Sequence, residues 1–526
     1  MTRESVIEHI GMEIKRELGT AQQWLIRNRW IVVGSLVLAM ALYFPIVQYG
    51  LENLDSFCTA EPYWADRWEL IPYWETVQGR WALQWNDVFS DGMHPYFITV
   101  LFTSSFFLLA SLVLCDLLAV YNVWVRFVCA SLLLCSQYAM NIQSYRYCST
   151  AYAMSFFLAV WAVYWADRGT VVATLLGSVC LAVSLGQYQS SLGVAAVVCL
   201  FLLMKTLLQQ DKYDGKFHTL LVHFLGMGVI GVAVYLVVLK LLLKVHHVSL
   251  ASINGINQVG VGLLSQLPQG IAQAYRDFFQ YFFGGQIAQN YYTIRPLYGL
   301  LLLCVAACLF YAMIQWRKSR IIWVGIIFCI LLVPAAANIT DIINPTTRIV
   351  LRMAGGMATI PLFCVVWLVQ GVRLRFDGLQ KAGTMVLALL LLRGYMLQSN
   401  NDIQVLLADK TQSLTLGREI YAQLTETEEF LQGAPVIIQG CPAVVPSEYR
   451  DRANPLFQNG VFWSDGSNNR DTWVRLMGQE LGVNISWCDF ERQVQITTSD
   501  AFQAMPGFPQ KGSIQVIDGV VVVKVM

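Results

Sequence analysis

Charge is what this sequence has least of. Only 13% of its 526 residues are Asp, Glu, Lys or Arg, against roughly a quarter in ordinary soluble domains, and that shortage excludes a soluble globular chain. There is no excess of one sign either. The 35 basic and 34 acidic residues leave a formal net charge of +1, and no basic run interleaved with aromatics appears, which excludes nucleic acid as a partner. The chain has no GxxxxGK[ST], no GxGxxG opening a helix after a strand, and no GxSxG. It therefore lacks the usual means of cradling a nucleotide or presenting a nucleophilic serine. Thirteen cysteines are present, but none forms a CxxC pair. Most, such as Cys115, Cys180 and Cys329, fall in apolar segments where a thiol acts as a small hydrophobe.

What the sequence does have is long apolar runs, with 56% of its residues hydrophobic. Segments near 30–49, 97–119, 124–141, 149–166, 170–186, 191–209, 219–243, 295–315, 321–337, 348–370 and 382–399 each approach the roughly 20 residues a membrane-crossing helix needs. The expectation is a polytopic α-helical membrane protein with about 11 transmembrane helices. Residues 1–29 carry Arg3, Lys15, Arg16, Arg27 and Arg29, so they read as an amphipathic segment on the cytoplasmic surface. With the N-terminus inside, Arg126, Arg168, Lys205, Arg320 and Arg373 fall on cytoplasmic loops, as the positive-inside rule requires. Loops 50–96 and 244–294 then lie outside, together with everything after residue 399. The protein is placed in the cytoplasmic (inner) membrane as a multi-pass chain.

Residues 400–526 are of another kind. Leucines at helical spacing over 402–431 precede the β-branched run in "GAPVIIQG", a helix is expected over 471–481 with Gly482 as its stop, and "VNISW" and "QVQIT" read as strands. Asp518-Gly519 turns "SIQVI" back into "VVVVKV", a strong hairpin signal. The expectation is a small extracytoplasmic α/β domain, in which Cys441 and Cys488 either bridge or stay free.

The chemistry concentrates in the loops assigned outside. The stretch from Leu51 to Trp81 carries Glu52, Asp55, Glu61, Asp66, Glu69 and Glu75. Acids beside a membrane are often plain solvated groups, but these keep particular company. Trp64, Trp68, Trp74, Trp81 and Trp85 alternate with charges over 63–85, the pattern of a helix at the interface, and Arg80 sits in "QGRW". Glu52 and Asp55 are three apart, so on a continued helical turn they share a face, and neighbouring carboxylates can push their pKa values apart, leaving one as a base. Asp55 is the first candidate for catalysis and Glu52 the second. Arg348 and Arg352, four apart at the start of a span, face one side of a helix where a phosphate would pair with them. Arg146 in "NIQSYRYC" and Gln187, Tyr188 and Gln189 in "GQYQSS" add polar groups at outer ends of spans, Asp341 precedes Arg348, and Arg276 lies on a helix read from "QLPQGIAQAYRDFFQYFF". Adjacent His246 and His247 have the wrong spacing for ligands on one helix face, so no metal site is assigned.

The acidic first loop ending in "GRW", the "GQYQSS" run, about eleven spans and a small outer C-terminal domain resemble the GT-C superfamily of polyprenyl-phosphate-sugar glycosyltransferases. Within it the chain most resembles the bacteriophage serotype-conversion O-antigen glucosyltransferases (the Gtr family). Relatives often carry an adjacent acidic pair; here the acids stand as "ENLD". The resemblance implies a membrane domain over 30–399 that moves a hexose from a polyprenyl-phosphate donor to a glycan acceptor, whether O-antigen, teichoic acid or another envelope polysaccharide. Arg80, Arg348, Arg352 and Arg146 would meet the donor phosphate, while Gln187, Tyr188, Gln189, Asp341 and Arg276 would contact substrate. No cofactor is required, although Glu52 and Asp55 could ligate a divalent metal. Two other readings share these features. One is a transporter or flippase of lipid-linked sugars, against which stands the lack of Gly/Pro-broken spans recurring in two halves; the other is an O-antigen polymerase-like enzyme.

Overall fold

A computed structural model describes residues 3–57, 74–83, 94–211, 213–251, 263–315, 318–345, 348–371, 377–464, 466 and 469–525. Most of the interfacial helix expected over 63–85, including Trp64, Trp68 and Trp85, lies outside the described residues.

The apolar segments are helical, as a chain that must satisfy its backbone groups in hydrocarbon requires. Among the described residues, eight helices are long and apolar enough to cross a membrane: Gln22–Tyr49, Tyr96–Leu117, Ser149–Ala166, Ser191–Gln209, Lys216–Val245, Ile294–Gln315, Arg320–Ala337 and Asp377–Leu424. A ninth would be the pair Val123–Leu134 and Gln137–Gln143, bent by 52°. That bend has a local cause: Ser136 is extended and its hydroxyl accepts from the amide of Ala139, restarting the helix in a new direction.

Of the eleven expected spans, eight, or nine with the bent pair, are thus long and apolar enough among the described residues, and shorter apolar helices stand at the other two positions. Val171–Gln187 and Gly355–Gly371 are apolar but shorter than the others, and 17 residues of helix rise only about 25 Å. Both are nonetheless part of the bundle. Val171–Gln187 packs against Ser149–Ala166 and Lys216–Val245, and Gly355–Val366 packs against Ser191–Gln209.

Two boundaries also differ from expectation. Arg3–Tyr49 is one continuous helix, with no break between a surface segment and the first span. Asp377–Leu424 likewise runs through the last apolar segment and on into the C-terminal region.

The C-terminal region packs on that long helix. Three strands, β1 (Val436–Gln439), β2 (Ile514–Ile517) and β3 (Val520–Lys524), form a sheet in the order β1-β3-β2. β1 runs parallel to β3, and β2 pairs antiparallel with β3. The Asp518-Gly519 turn is where the hairpin signal put it, with φ of 50° and 73°, the left-handed pair a two-residue hairpin needs. "VNISW" makes only an isolated bridge from Trp487 to Val436. "QVQIT" lies inside the helix Phe490–Thr497, because Asp489 accepts from the amide of Arg492 and caps it. The expected helix over 471–481 is Asn469–Arg475 continued by a π-helical turn, Leu476–Glu480. Cys441 and Cys488 are free thiols.

An ion pair and a hydrogen bond fasten this region to the long helix. Asp409 pairs with Arg450, and Asp402 accepts from the side chain of Asn454 at 2.5 Å. Both acids are buried, and each is matched by a partner from the other side of the junction, which is what allows them to be there.

Candidate active site

The first helix ends at Tyr49, and the chain continues through Glu52 into a single helical turn, Leu54–Phe57. Asn53 sets that turn. Its side-chain oxygen accepts from the amide of Ser56 at 2.9 Å, while its amide group donates to the hydroxyl of Ser144 at 2.7 Å. Because the turn begins only after Asn53, Glu52 and Asp55 do not share a helix face as their spacing suggested. They enter two different environments.

Glu52 is enclosed. Its carboxylate accepts from Arg475 at 2.5 and 3.3 Å, from Ser56 at 2.6 Å and from the hydroxyl of Tyr96, with Arg146 at 3.6 Å. Burial would push this carboxyl up, but Arg475, then Arg146 and Ser56, outweigh burial and hold it at about 2. Arg146 is held in place as well, donating to the carbonyl of His94 at 2.7 Å and lying 4.5 Å from the Tyr96 ring. The structure therefore places Arg146 on Glu52.

Asp55 faces the other way, at 3.4 Å from Arg352, and its side chain keeps 28% of its surface accessible. Arg352 also donates to the hydroxyl of Tyr145 and lies 5.1 Å from that ring. From Tyr145 a row of aromatics continues. Tyr152 is 6.3 Å away, and Tyr188 stacks on Tyr152 at 4.1 Å. At the far end stands Arg80, donating to the hydroxyl of Tyr152 at 3.1 Å, with its guanidinium carbon 5.5 Å from the Tyr188 ring. Two guanidinium groups thus bracket three tyrosines, with one accessible carboxylate at the Arg352 end.

Local sequence explains how Arg80 reaches this place. Gly79 has φ of 77°, and a Cβ there would lie 2.7 Å from Gln189 and 2.8 Å from the Tyr235 hydroxyl. Gln189 donates to the carbonyl of Gln78 at 2.8 Å, and Tyr235 to that of Gly79 at 3.0 Å. Trp81 lies on the bare backbone of Gly186, and the amide of Ala82 donates to the Gly186 carbonyl at 2.8 Å. The "QGRW" and "GQYQSS" motifs are therefore two halves of one contact. Gln189 serves the turn that carries Arg80, whereas Gln187 is fully buried and its amide makes no hydrogen bond among the described residues.

The remaining candidates gather elsewhere. The helix Leu263–Phe279, expected from the sequence, packs on the short helix Ile339–Ile343. There Asp341 meets Asp277; burial first, then the neighbouring acid, raises Asp341 to about 8. Arg276 is bonded to Gln273 at 3.2 Å, and the charge of Arg348 acts on Asp277. Arg348 and Arg352 are not on one helix: residues 348–350 are irregular, Leu351–Met353 is a 3-10 turn, and the helix begins at Gly355.

Sequence reasoning passed over Tyr145, Tyr152 and Arg475. The tyrosines were signalled by their density in "SYRYCSTAY", but aromatics beside apolar spans read as packing. Arg475 carried no such signal, being 423 residues from its partner Glu52.

A search of the curated proteins and of the solved structures finds no match. A family model does match, that of glucosyl transferase GtrII, over residues 69–365. The matched span contains Arg80, Tyr145, Tyr152, Tyr188 and Arg352, and leaves Asp55 before it and Arg475 after it. Covering more than half of the chain, with six of those eight helices and the two-arginine row inside it, the match identifies this protein as a membrane protein of the GtrII glucosyltransferase family, acting between a sugar donor and an acceptor.

Proposed function

We propose that the protein transfers a hexose, glucose by its family, from a polyprenyl-phosphate donor to a cell-envelope glycan on the outer face of the cytoplasmic membrane. The observation that carries this reading is the accessible carboxylate of Asp55 at 3.4 Å from Arg352, at one end of a tyrosine row closed by Arg80. Asp55 takes the proton of the acceptor hydroxyl as its oxygen forms the new bond to the anomeric carbon. The bond from that carbon to the phosphate oxygen breaks in the same displacement, inverting the centre, and its electron pair leaves on the polyprenyl phosphate. Arg352 and Arg80 stabilise the departing charge, fixed in advance by Tyr145 and Tyr152, so no reorganisation is needed as the charge develops. Glu52 has no part in proton transfer, because its carboxylate is committed to Arg475. The scheme calls for no metal.

Asp55→Asn, assayed in membranes supplied with polyprenyl-phosphate-hexose, tests this. Loss of a general base predicts a fall of about 10²- to 10⁴-fold in transfer. Transfer near the unmutated level would overturn the reading, and movement of labelled lipid without a new glycosidic bond would replace it with a flippase.

A further inference from the structure

The turn that carries Asp55 is built into the C-terminal region, 400 residues further along the chain. Phe57, at the end of the turn, is 2% exposed and belongs to the same apolar core as Ile420, Val436, Trp473 and Val523. Arg475 reaches the turn from that core. Besides Glu52, it donates to the backbone carbonyls of Ser56 at 3.3 Å and Phe57 at 2.8 Å, and its guanidinium carbon lies 4.3 Å from the Phe57 ring. A second anchor closes the arrangement. Arg475 lies 3.7 Å from Glu480, Glu480 pairs with Lys410 at 2.8 Å, and Lys410 donates to the carbonyl of Gly50 at 3.0 Å. Polar contacts thus run from the Gly50 carbonyl through Lys410, Glu480 and Arg475 back to Glu52 and the turn, and Lys410 and Arg475 are both supplied by the chain beyond residue 400.

Such a ring exceeds what folding of the C-terminal region requires. Backbone carbonyls of a four-residue turn are ordinarily satisfied by water or by short-range bonds. Here two of them, with both oxygens of a buried carboxylate, converge on one guanidinium whose planar fork fixes direction as well as charge. The turn has no length of its own with which to hold an orientation, since isolated single turns are unstable. What orients Asp55 toward Arg352 is the pair of attachments on its two sides, Asn53 to Ser144 and Arg475 to Glu52, Ser56 and Phe57.

We propose that Arg475 is a positioning residue for glycosyl transfer: the C-terminal region holds the Asp55 turn in register with Arg352, so the reaction centre is completed by a side chain from outside the membrane bundle. This inference rests on Asp55 being the base. A misplacement of about 1 Å at a reacting group costs about 10²-fold, so Arg475→Met should lower kcat by about tenfold to a hundredfold. The KM for polyprenyl-phosphate-hexose should change little, because Arg80 and Arg352 are untouched. Arg475→Lys, which keeps the charge but cannot span the carboxylate and two carbonyls together, should fall between the two.

The decisive variant is Glu52→Gln with Arg475→Met. It removes the buried carboxylate that Arg475→Met leaves with Arg146 as its one nearby arginine, so thermal stability in detergent returns toward the unmutated value. If Arg475 merely balances charge, kcat returns with it; if Arg475 positions the turn, kcat stays low. A stable double variant turning over at the unmutated rate, with Asp55→Asn inactive, would overturn the clamp and leave the base assignment standing. Full transfer by Asp55→Asn would remove both.

Discussion

Glu52 and Asp55 are separated by two residues, yet one side chain is wholly covered and the other 28% accessible. Glu52 is covered by four partners and meets an arginine that is itself only 3% accessible; Asp55 meets Arg352, which keeps 25%. On the proposed mechanism, the difference separates an acid that holds structure from the one that does the chemistry. A carboxylate wrapped by guanidinium groups is held ionised and immobile, and has no remaining lone pair to offer a substrate hydroxyl. Asp55, with Arg352 at 3.4 Å, keeps 28% of its side-chain surface accessible.

The sharpest way to break that comparison is to neutralise each acid in turn. Asp55→Asn should abolish transfer, by the factor given above, while leaving the melting temperature near its original value. Glu52→Gln should do the opposite first. It leaves Arg475 buried without its main counter-charge, at a cost of about 3 kcal/mol, read as a lowered melting temperature in detergent. The two effects exchanged would mean that the roles are exchanged.

Acid titration sharpens the same point. Glu52 is held at about 2 in the folded protein, whereas an unperturbed glutamate titrates near 4.3. The folded state therefore binds fewer protons, and the stability this gives is fully present above about pH 4.3 and lost as the pH falls toward 2. Melting curves of the unmutated protein should lose stability through that window, and Glu52→Gln should lose less there. Equal acid sensitivity in both would show that the Arg475 pair is weaker than its geometry implies.

These contrasts also show what the sequence could convey. The helices were legible because hydrophobic run length is local, as was the Asp518-Gly519 hairpin. The strand reading of "QVQIT" failed where Asp489, one residue before the helix, supplied a cap that outweighed β-branched alternation. Arg348 and Arg352 sit at helical spacing, but the helix starts only at Gly355, so their spacing carried no face. At the site, Asp55, Arg80, Arg352 and Tyr188 were chosen from charge and motif, and the structure brings them together. Tyr145 and Tyr152 were hidden by resembling packing. Arg475 was hidden because a pairing across 423 residues leaves no periodic trace.

The contact between "QGRW" and "GQYQSS" gives a smaller test on the Arg80 side. A Cβ at Gly186 would lie 2.6 Å from the Trp81 indole, and the indole is a rigid ring that must move as a whole. Gly186→Ala should cost about 1–3 kcal/mol as overpacking and shift Arg80 from the tyrosine row, so that the KM for donor rises more than kcat falls. Gly228→Ala is the matched control, since nothing lies within 4 Å of a Cβ there. Loss of donor affinity in both variants would detach the effect from the Trp81 contact.

Asp341 supplies the smallest effect and the reverse case of Glu52. Both acids are buried, but Asp341 has another acid, Asp277, where Glu52 has Arg475, so its carboxyl is raised to about 8. The sign of the linkage inverts. Between an ordinary aspartate value of about 3.9 and about 8, the folded state holds a proton that the unfolded chain has released, so stability falls as the pH rises through that range. Asp341→Asn keeps the shape, cannot ionise and can still donate to Asp277. It should therefore flatten the decline between pH 5 and pH 8, with its largest gain in melting temperature at pH 8. A variant that loses stability at every pH would show that Asp341 is ionised in the folded protein, with a cation in place of the shared proton.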